Sequence, residues 1–195
     1  MLILASSSPY RREMLSRLTL DFDVITPDID ETPMAGETPL AIARRLSIEK
    51  ARWVASRAPG AIVIGADQVL DCHGKALGKP GTLNAACEQL ARLSGQTVTF
   101  HSAVAVVTRA GTRVRVSSCE ATFRRLTESQ INRYVALEQP VDTAGSAKAE
   151  GLGIALLTSL KSDDPTAIIG LPLIALTQLL SLAGLDPLNA FRQTA

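Results

Sequence analysis

The first twelve residues place the strongest constraint on the fold. An apolar run at residues 2–5 (LILA) is followed by three serines, Pro9 and the sequence YRR. The run predicts a buried strand, and serine followed by proline favours a helix start, because serine caps helix N-termini and the first helical position needs no N–H. The turn between them would present N–H groups, hydroxyls and two guanidinium groups. It suits an anion, above all a phosphate; the alternative is a capped surface helix with two solvated arginines.

Length and composition limit the class of protein. The chain has 195 residues, 46% of them hydrophobic and 20% charged, which fits one globular domain with a sizeable core. Its net charge of +1 argues against a binder of nucleic-acid polymers. The strongest apolar run, residues 168–183, is interrupted by Gly170 and Pro172, so we expect a core helix and no membrane association. An odd number of cysteines, three, indicates reduced thiols and a cytoplasmic location.

Hydrophobic periodicity predicts alternating strands and helices, and therefore an α/β fold with a mixed sheet. The predicted strands are residues 1–5, 22–26, 61–65 with an extension to 70, 97–107, 113–123 and 154–157, and the predicted helices are residues 9–18, 38–58, 82–94, 127–138 and 172–183. The strands at 97–107 and 113–123 form a hairpin, and Thr127 with Gln130 forms a capping box. We expect a cleft between the N-terminal half and the half with the hairpin, with the boundary near residues 94–96.

Three carboxylates are candidates for chemistry. Asp67 follows the short apolar strand at 61–65, and ligands gather at the carboxyl ends of strands in α/β sheets. It could hold a divalent cation or take a proton from water, or it could simply cap a turn. Glu31 lies in the acidic loop at 27–37, as a second metal carboxylate or as part of a solvated loop. Asp164 lies in a turn that could also face the cleft.

Several cations accompany these acids. Lys50 interrupts an apolar stripe of the helix at 38–58, and its ammonium either extends to solvent or points into the cleft. Lys79 precedes the helix at 82–94, where an anion site and a solvated turn are both compatible with the pattern. Lys148 and Glu150 lie in a loop of small residues, GSAKAEGLG, at 145–153.

Cations and carboxylates in loops at the ends of elements favour a metal–polyphosphate site. The cations would hold phosphate oxygens, the carboxylates would hold Mg²⁺ or a similar ion, and one carboxylate would activate water. No glycine-rich loop ending in Lys-Ser or Lys-Thr is present. His73 and His101 belong to no nucleophile motif, which disfavours a catalytic triad.

Six motifs in one order carry a resemblance to a known family. They are SSSPYRR at residues 6–12, DETP at 30–33, EKA at 49–51, IGADQV at 64–69, GKP at 78–80 and GLP at 170–172. Together they resemble the Maf family of nucleoside triphosphate pyrophosphatases, from residue 2 to about residue 188. The resemblance implies a single domain over residues 1–195 with a Maf/ITPase-like mixed, twisted sheet, flanking helices and two lobes around a central cleft. It also suggests a homodimer.

The resemblance implies a role for each candidate residue. Water would attack the α-phosphorus of a nucleoside triphosphate and release a monophosphate and diphosphate, with Asp67 as proton acceptor. Glu31 and Asp67 would hold the divalent cation, Mg²⁺, Mn²⁺ or Co²⁺. The triphosphate would be held by Ser7, Arg11, Arg12, Lys50 and Lys79.

Three positions distinguish the branches of this family, and two of them resemble the branch that acts on 7-methyl-GTP. Gln68 and Glu150 match that branch, while Tyr10 stands where the branch usually carries Trp. An aromatic ring can stack on the positively charged methylated guanine, and Glu150 could accept hydrogen bonds from its N1–H and N2–H₂ groups. The alternatives are a dTTP/UTP pyrophosphatase of the same family and a nucleotide-binding regulator of cell division, acting at the septum without turnover.

Overall fold

The computed structural model describes residues 1–189 and confirms the α/β fold with a mixed sheet. Its strands are β1 (Leu2–Ala5), β2 (Asp23–Ile25), β3 (Ile62–Cys72), β4 (Lys75–Leu77), β5 (Thr97–Thr108), β6 (Gly111–Phe123) and β7 (Leu157–Lys161). Its α-helices are α1 (Pro9–Ser16), α2 (Pro39–Ala55), α3 (Leu83–Leu93), α4 (Glu128–Glu138) and α5 (Leu173–Leu182). Short 3₁₀ turns cover Ala144–Ser146, Leu152–Leu156 and Ala167–Ile169.

The strands form one open sheet in the order β2-β1-β3-β5-β6-β7, with β4 paired to β3. β1 is parallel to both β2 and β3, and the other pairs are antiparallel. The predicted hairpin is β5–β6, and its connection is shorter than expected, because β5 continues to Thr108 and β6 begins at Gly111.

Local sequence signals set most helix boundaries. The N-caps of α1, α2, α3 and α4 are Ser8, Thr38, Thr82 and Thr127, and each side chain accepts a backbone N–H of the first turn. The predicted capping box between Thr127 and Gln130 is present. These side chains satisfy N–H groups that a helix start otherwise leaves without partners.

The sheet lies between helices on both faces. Successive residues of β3 point to opposite faces. Ile64 packs with side chains of α1 and α5, and Leu70 packs with α3 and α4. On the other face, Val63 and Val69 pack with α2. Asp67 is separated from Val63 and Val69 by even numbers of residues along the strand, so it lies on the same face and points towards α2.

Strand β3 is only partly paired along one edge. β5 pairs with residues 63–71 along the other edge. On the first edge, β1 pairs with residues 62–65 and β4 with residues 70–72. No strand in the described part of the chain pairs with residues 66–69 there. We call this interval the β3 gap.

Two connecting segments enter the β3 gap from opposite ends. β1 runs parallel to β3, so its continuation, residues 6–8, enters past residue 65. β4 runs antiparallel to β3, so its continuation, residues 78–79, enters past residue 70 from the other side. The gap therefore brings together two polar loops that are far apart in sequence.

Helix α2 lies unusually close to β3 because Gly65 has no side chain. A Cβ atom at Gly65 would collide with the carbonyl oxygen of Ser47 and lie 2.6 Å from the backbone nitrogen of Ala51. Both of these are backbone atoms of α2, so a side chain at residue 65 could fit only if the helix moved. This contact sets the distance between α2 and the strand that carries Asp67.

The structure corrects the prediction of a strand at residues 154–157. Residues Leu152–Leu156 form a 3₁₀ turn, and the strand begins at Leu157. Gly153 lies against the backbone of Lys148, and Leu156 is buried. The apolar residues of this segment therefore pack inside a tight turn and not in a strand. β7 itself is a largely exposed edge strand and lacks the apolar signal of a buried one.

Asp67 also lies elsewhere than predicted. It is inside β3, which runs from residue 62 to residue 72, and not past the end of a short strand. The strand continues because β5 pairs with it as far as residue 71. Asp67 does lie beyond the end of neighbouring β1, whose last pair is Ala5 with Gly65.

The division into two lobes stays a prediction. Residues 94–96, the predicted boundary, connect α3 to β5. β5 contributes Val104 and Val106 to the core around α1 and α5, and Val98 and Phe100 to the core around α3 and α4. The two core regions are therefore joined by the same strands.

The predicted core helix at residues 172–183 is α5, which spans Leu173–Leu182 and buries Leu176, Leu179 and Leu180. Among residues 1–189, no helix combines the length and apolarity needed to cross a membrane.

Replacing Gly65 by alanine is expected to destabilise the protein. The added methyl group forces α2 away from β3, and overpacking of this kind costs about 1–3 kcal/mol. Chemical denaturation of the wild type and Gly65→Ala measures the loss. Gly78→Ala is the matched control, because a Cβ there meets no atom within 4 Å. Equal stability of Gly65→Ala and the wild type would contradict the role of this contact.

Candidate active site

The β3 gap opens into a cleft of about 390 Å³. The cleft is lined by eight of the ten residues predicted for the site: Ser7, Tyr10, Arg11, Glu31, Lys50, Asp67, Gln68 and Lys79. They come from the segment after β1, helix α1, the loop before α2, α2 itself, β3, and the segment after β4. Arg12 and Glu150 do not line it.

A buried ion pair lies at the centre of the cleft. The Nζ atom of Lys50 lies 2.7 Å from Oδ1 of Asp67 and 3.0 Å from Oε1 of Glu31. Lys50 and Asp67 are each only 6% exposed, whereas the side chain of Glu31 is 57% exposed. Of the two directions that the sequence allowed for Lys50, the ammonium therefore takes the one into the cleft.

A second ion pair holds the loop that carries Glu31. Arg45 donates to both carboxylate oxygens of Glu37, at 2.7 and 2.8 Å, and to the carbonyl oxygen of Thr32 at 3.2 Å. Glu37 also accepts the N–H of Met34. Because Thr32 directly follows Glu31, this network ties the backbone beside Glu31 to α2. Neither Arg45 nor Glu37 lies in a motif that marks it in the sequence.

The three serines between β1 and α1 make different contacts. Ser6 accepts the N–H of Ser8 at 3.1 Å, and Ser8 accepts the N–H of Arg11 at 3.4 Å as the N-cap of α1. Ser7 is exposed and lines the cleft. Among the three serines, Ser7 is therefore the one whose hydroxyl is not used within the turn.

Arg11 and Gln68 are oriented by the backbone that precedes α5. Nε of Arg11 donates to the carbonyl oxygen of Gly170 at 2.9 Å. Burial lowers the pKa of Arg11, and the charges of Asp67 and Glu31 oppose that shift. Nε2 of Gln68 donates to the carbonyl oxygens of Ala167 and Ile168 and to the hydroxyl of Ser102. The amide nitrogen of Gln68 is thus held by the protein.

On another side of the cleft, an aromatic side chain lies beside two charged ones. The hydroxyl of Tyr10 lies 3.2 Å from Oδ2 of Asp142, and Nζ of Lys148 lies 3.6 Å from Oδ1 of Asp142. The same Nζ lies 5.9 Å from the centroid of the Tyr10 ring. Burial raises the pKa of the Tyr10 phenol. Asp142 and its neighbour Thr143 also line the cleft, and neither was among the residues predicted for the site.

Arg12 lies on another side of α1 from Arg11. Consecutive residues of an α-helix are rotated by about 100° around its axis, so the two adjacent arginines leave α1 in different directions. Arg12 is exposed and lines a separate depression together with Glu13 and Asp23.

Glu150 and Asp164 also lie outside the cleft lining. Glu150 is exposed, at the turn that precedes the 3₁₀ segment Leu152–Leu156. Asp164 is buried, and its Oδ2 accepts the N–H groups of Ile174 and Ala175 at 2.8 and 3.2 Å. Its carboxylate therefore caps α5 and does not face the cleft, contrary to the prediction.

The donor set fits a hard divalent cation that is completed by a ligand. Glu31 and Asp67 flank one ammonium and offer only carboxylate oxygens, which suit Mg²⁺ or Mn²⁺. Within residues 1–189, no group of three or more His, Cys, Asp or Glu side chains is arranged to hold a metal. Mg²⁺ commonly binds through one or two carboxylates together with phosphate oxygens of the substrate.

Comparison with known proteins agrees with this chemistry. A family model described as Maf-like protein matches residues 1–183. A protein of Bordetella pertussis named 7-methyl-GTP pyrophosphatase is 58% identical over 188 residues, which cover 96% of this chain and 94% of the relative. Proteins of the same name from Cupriavidus pinatubonensis and Aromatoleum aromaticum are 54% and 53% identical, and the matches cover 94% of this chain and 93% and 96% of those relatives.

Replacing Lys50 by methionine is expected to destabilise the protein by about 3 kcal/mol, because it leaves the buried Asp67 carboxylate without its partner. Chemical denaturation measures the change. The double variant Lys50→Met/Asp67→Leu is expected to recover most of the loss. Lys161→Met is the control, since Lys161 and Glu120 form an exposed pair. A double variant less stable than Lys50→Met would contradict this assignment.

The pair of Glu37 and Arg45 is expected to make stability depend on pH. The hydrogen bonds from Arg45, with that from Met34, lower the pKa of Glu37 from 4.5 to about 2. The stabilisation of the folded protein by the ionised Glu37 is therefore complete above about pH 4.5, and it is lost as the pH falls towards 2. Thermal unfolding of Glu37→Gln is expected at a lower temperature than wild type at pH 7, with the difference shrinking below pH 4.5.

The control for the pH experiment is Glu13→Gln. Glu13 forms an exposed pair with Arg17, and its loss is expected to leave the unfolding temperature unchanged. A difference between wild type and Glu37→Gln that stayed constant from pH 7 to pH 3 would contradict the role given to the pair.

Proposed function

The chain belongs to the Maf family, and from that premise we propose that it hydrolyses 7-methyl-GTP to 7-methyl-GMP and diphosphate. The observation that carries the proposal is the ammonium of Lys50 between Asp67 and Glu31, in a cleft that also contains Arg11 and Lys79. The names of the relatives support the substrate. Its task in the cell would be to remove modified nucleotides from the cytoplasmic pool. The homodimer suggested by the resemblance stays a prediction.

The cations of the cleft bind the triphosphate in this proposal. Ser7 comes from the segment after β1, Arg11 comes from helix α1, into which that segment leads, and Lys79 comes from the segment after β4. Because these segments enter the β3 gap from opposite ends, a chain of phosphates lying along the gap is held at both ends. The Arg11 guanidinium is fixed by Gly170, which favours a set direction of approach for a phosphate oxygen.

Asp67 accepts the proton of the attacking water. Its Oδ1 atom accepts from Lys50, and its Oδ2 atom takes no hydrogen bond from residues 1–189, so a water molecule can donate there. The water oxygen forms a bond to the α-phosphorus, and the bond from that phosphorus to the oxygen bridging to the β-phosphorus breaks. Diphosphate leaves, and the water proton passes to Asp67.

Glu31 and Asp67 would hold the divalent cation, Mg²⁺, Mn²⁺ or Co²⁺, which when bound neutralises charge on the phosphate oxygens. Lys50 contacts both carboxylates and so keeps them beside each other. Arg45 fixes the backbone next to Glu31 and so limits how far that carboxylate can move.

Tyr10 and Gln68 contact the base in this proposal. The Tyr10 ring can stack on the methylated guanine, whose positive charge is attracted to the face of an aromatic ring. Gln68 has its amide nitrogen held by Ala167 and Ile168, so its carbonyl oxygen is the atom available to a ligand.

A panel of nucleotides tests the reaction and the base preference. The wild type is incubated with 7-methyl-GTP, GTP, dTTP and UTP in the presence of Mg²⁺ or Mn²⁺, and diphosphate and monophosphate are measured. We expect the highest kcat/KM for 7-methyl-GTP. A preference for dTTP or UTP would replace the proposed substrate, and nucleotide binding without any turnover would favour the regulator.

The role of Asp67 has its own test. Asp67→Asn is expected to lower kcat by about 100-fold or more, since the amide cannot accept the proton. Asp71→Asn is the matched control: it lies on the same strand and face, outside the cleft lining, and is expected to leave kcat unchanged. Equal rates for Asp67→Asn and wild type would exclude Asp67 as the base. With H₂¹⁸O, we expect the label in the monophosphate, because attack is at the α-phosphorus.

A further inference from the structure

We propose that Asp142 is the carboxylate that recognises the hydrogen-bond donors of the base and thereby selects a guanine-type nucleotide. This inference rests on the proposed function and deepens it. Asp142 lines the same cleft as Asp67 and Gln68, whereas Glu150 does not line it. The chain therefore supplies a carboxylate for the base from a residue 132 positions away from Tyr10.

The surroundings of Asp142 leave its carboxylate available to a ligand. Its side chain is 45% exposed. The Tyr10 hydroxyl lies 3.2 Å and 3.5 Å from its two oxygens, and Nζ of Lys148 lies 3.6 Å from Oδ1. Charge-assisted hydrogen bonds to a carboxylate are normally about 2.5–2.9 Å long. Both contacts are longer than this, so donors from a bound base can replace them.

Lys148 does not fully neutralise Asp142. Its Nζ atom donates to the carbonyl oxygen of Glu138 at 3.0 Å, a shorter contact than the one to Asp142. The ammonium is thus held towards the end of α4, and part of the negative charge of Asp142 remains for the cleft. A carboxylate beside an aromatic face suits a base that carries positive charge.

The residue after Asp142 also belongs to the cleft. Thr143 also lines the cleft, and its buried Oγ1 atom has no hydrogen-bond partner among residues 1–189. Buried polar atoms in native proteins nearly always have a partner. Thr143 therefore belongs to the same wall of the cleft as Asp142, and its hydroxyl is a polar group without a partner beside that wall.

The geometry of a carboxylate discriminates between bases. Guanine presents the N1–H and N2–H₂ donors side by side, and one carboxylate can accept from both. Uracil and thymine present a single N–H between two carbonyl oxygens, and those oxygens would repel the carboxylate. Asp142 would therefore favour 7-methyl-GTP by attraction and disfavour dTTP and UTP by repulsion.

The test compares Asp142→Asn with the wild type on 7-methyl-GTP and UTP. We expect kcat/KM for 7-methyl-GTP to fall by about 10-fold or more, mostly through KM, because a bidentate pair to a base is lost. The value for UTP is expected to stay constant or rise. Unchanged selectivity would overturn the proposal, as would a loss of selectivity in Glu150→Gln that Asp142→Asn does not share. Asp71→Asn is the control and is expected to keep the wild-type ratio.

Tyr10→Phe separates recognition by Asp142 from a merely structural role. This variant keeps the ring and removes the hydroxyl that contacts Asp142. If Asp142 itself accepts hydrogen bonds from the base, Tyr10→Phe keeps most of the preference for 7-methyl-GTP over UTP. If Asp142 only positions Tyr10, then Tyr10→Phe loses as much selectivity as Asp142→Asn, and the proposal is wrong.

A binding experiment distinguishes this inference from the proposed reaction. Calorimetric titration with 7-methyl-GMP and UMP requires no turnover. We expect the wild type to bind 7-methyl-GMP more tightly and Asp142→Asn to lose at least about 10-fold of that affinity. If Asp142→Asn loses this affinity but the wild type hydrolyses no triphosphate, the proposed hydrolysis is wrong and the role of Asp142 in binding the base stands. Equal affinities of Asp142→Asn and wild type would overturn the role of Asp142, whatever the enzyme hydrolyses.

Discussion

The close contact between helix α2 and strand β3 determines where the charged groups of the cleft meet. Gly65 lets the backbone of α2 approach β3 at Ser47 and Ala51. Lys50 precedes Ala51, and Asp67 lies two residues after Gly65 on the same face of β3. The Lys50 ammonium reaches the Asp67 carboxylate because these two backbones are so close. A missing side chain at one position thus brings together two charges that would be costly to bury separately.

The β3 gap explains why the remaining groups gather around this pair. β1 and β4 share one edge of β3 without meeting, so the segments that follow them turn towards the same interval. Ser7 and Lys79 are brought there by strand ends, and Glu31 is brought there by a loop that Arg45 ties to α2. The floor of the cleft is regular sheet, and its walls are formed by loops together with residues of α1 and α2.

Much of the fold could be predicted because its signals are local. Ser8 and Pro9 mark the start of α1, and the box of Thr127 and Gln130 marks the start of α4. The direction of Lys50 could not be predicted, since α2 has apolar residues on more than one side and the choice depends on a tertiary contact with β3. Asp142 was missed for a related reason: it lies in a loop with no periodicity, and only the folded chain brings it to Tyr10.

The anchoring of the cleft walls has a consequence for how the protein can change over evolution. Asp67 and Lys50 sit on β3 and α2, whose packing tolerates almost no alteration at Gly65. Tyr10, Asp142 and Lys148 sit on the opposite wall, and none of them contacts that pair. In the function proposed above, substitutions in this wall can change which nucleotide is accepted while the Lys50–Asp67 pair stays intact. Substrate range and reaction chemistry are therefore free to diverge at different rates within one cleft.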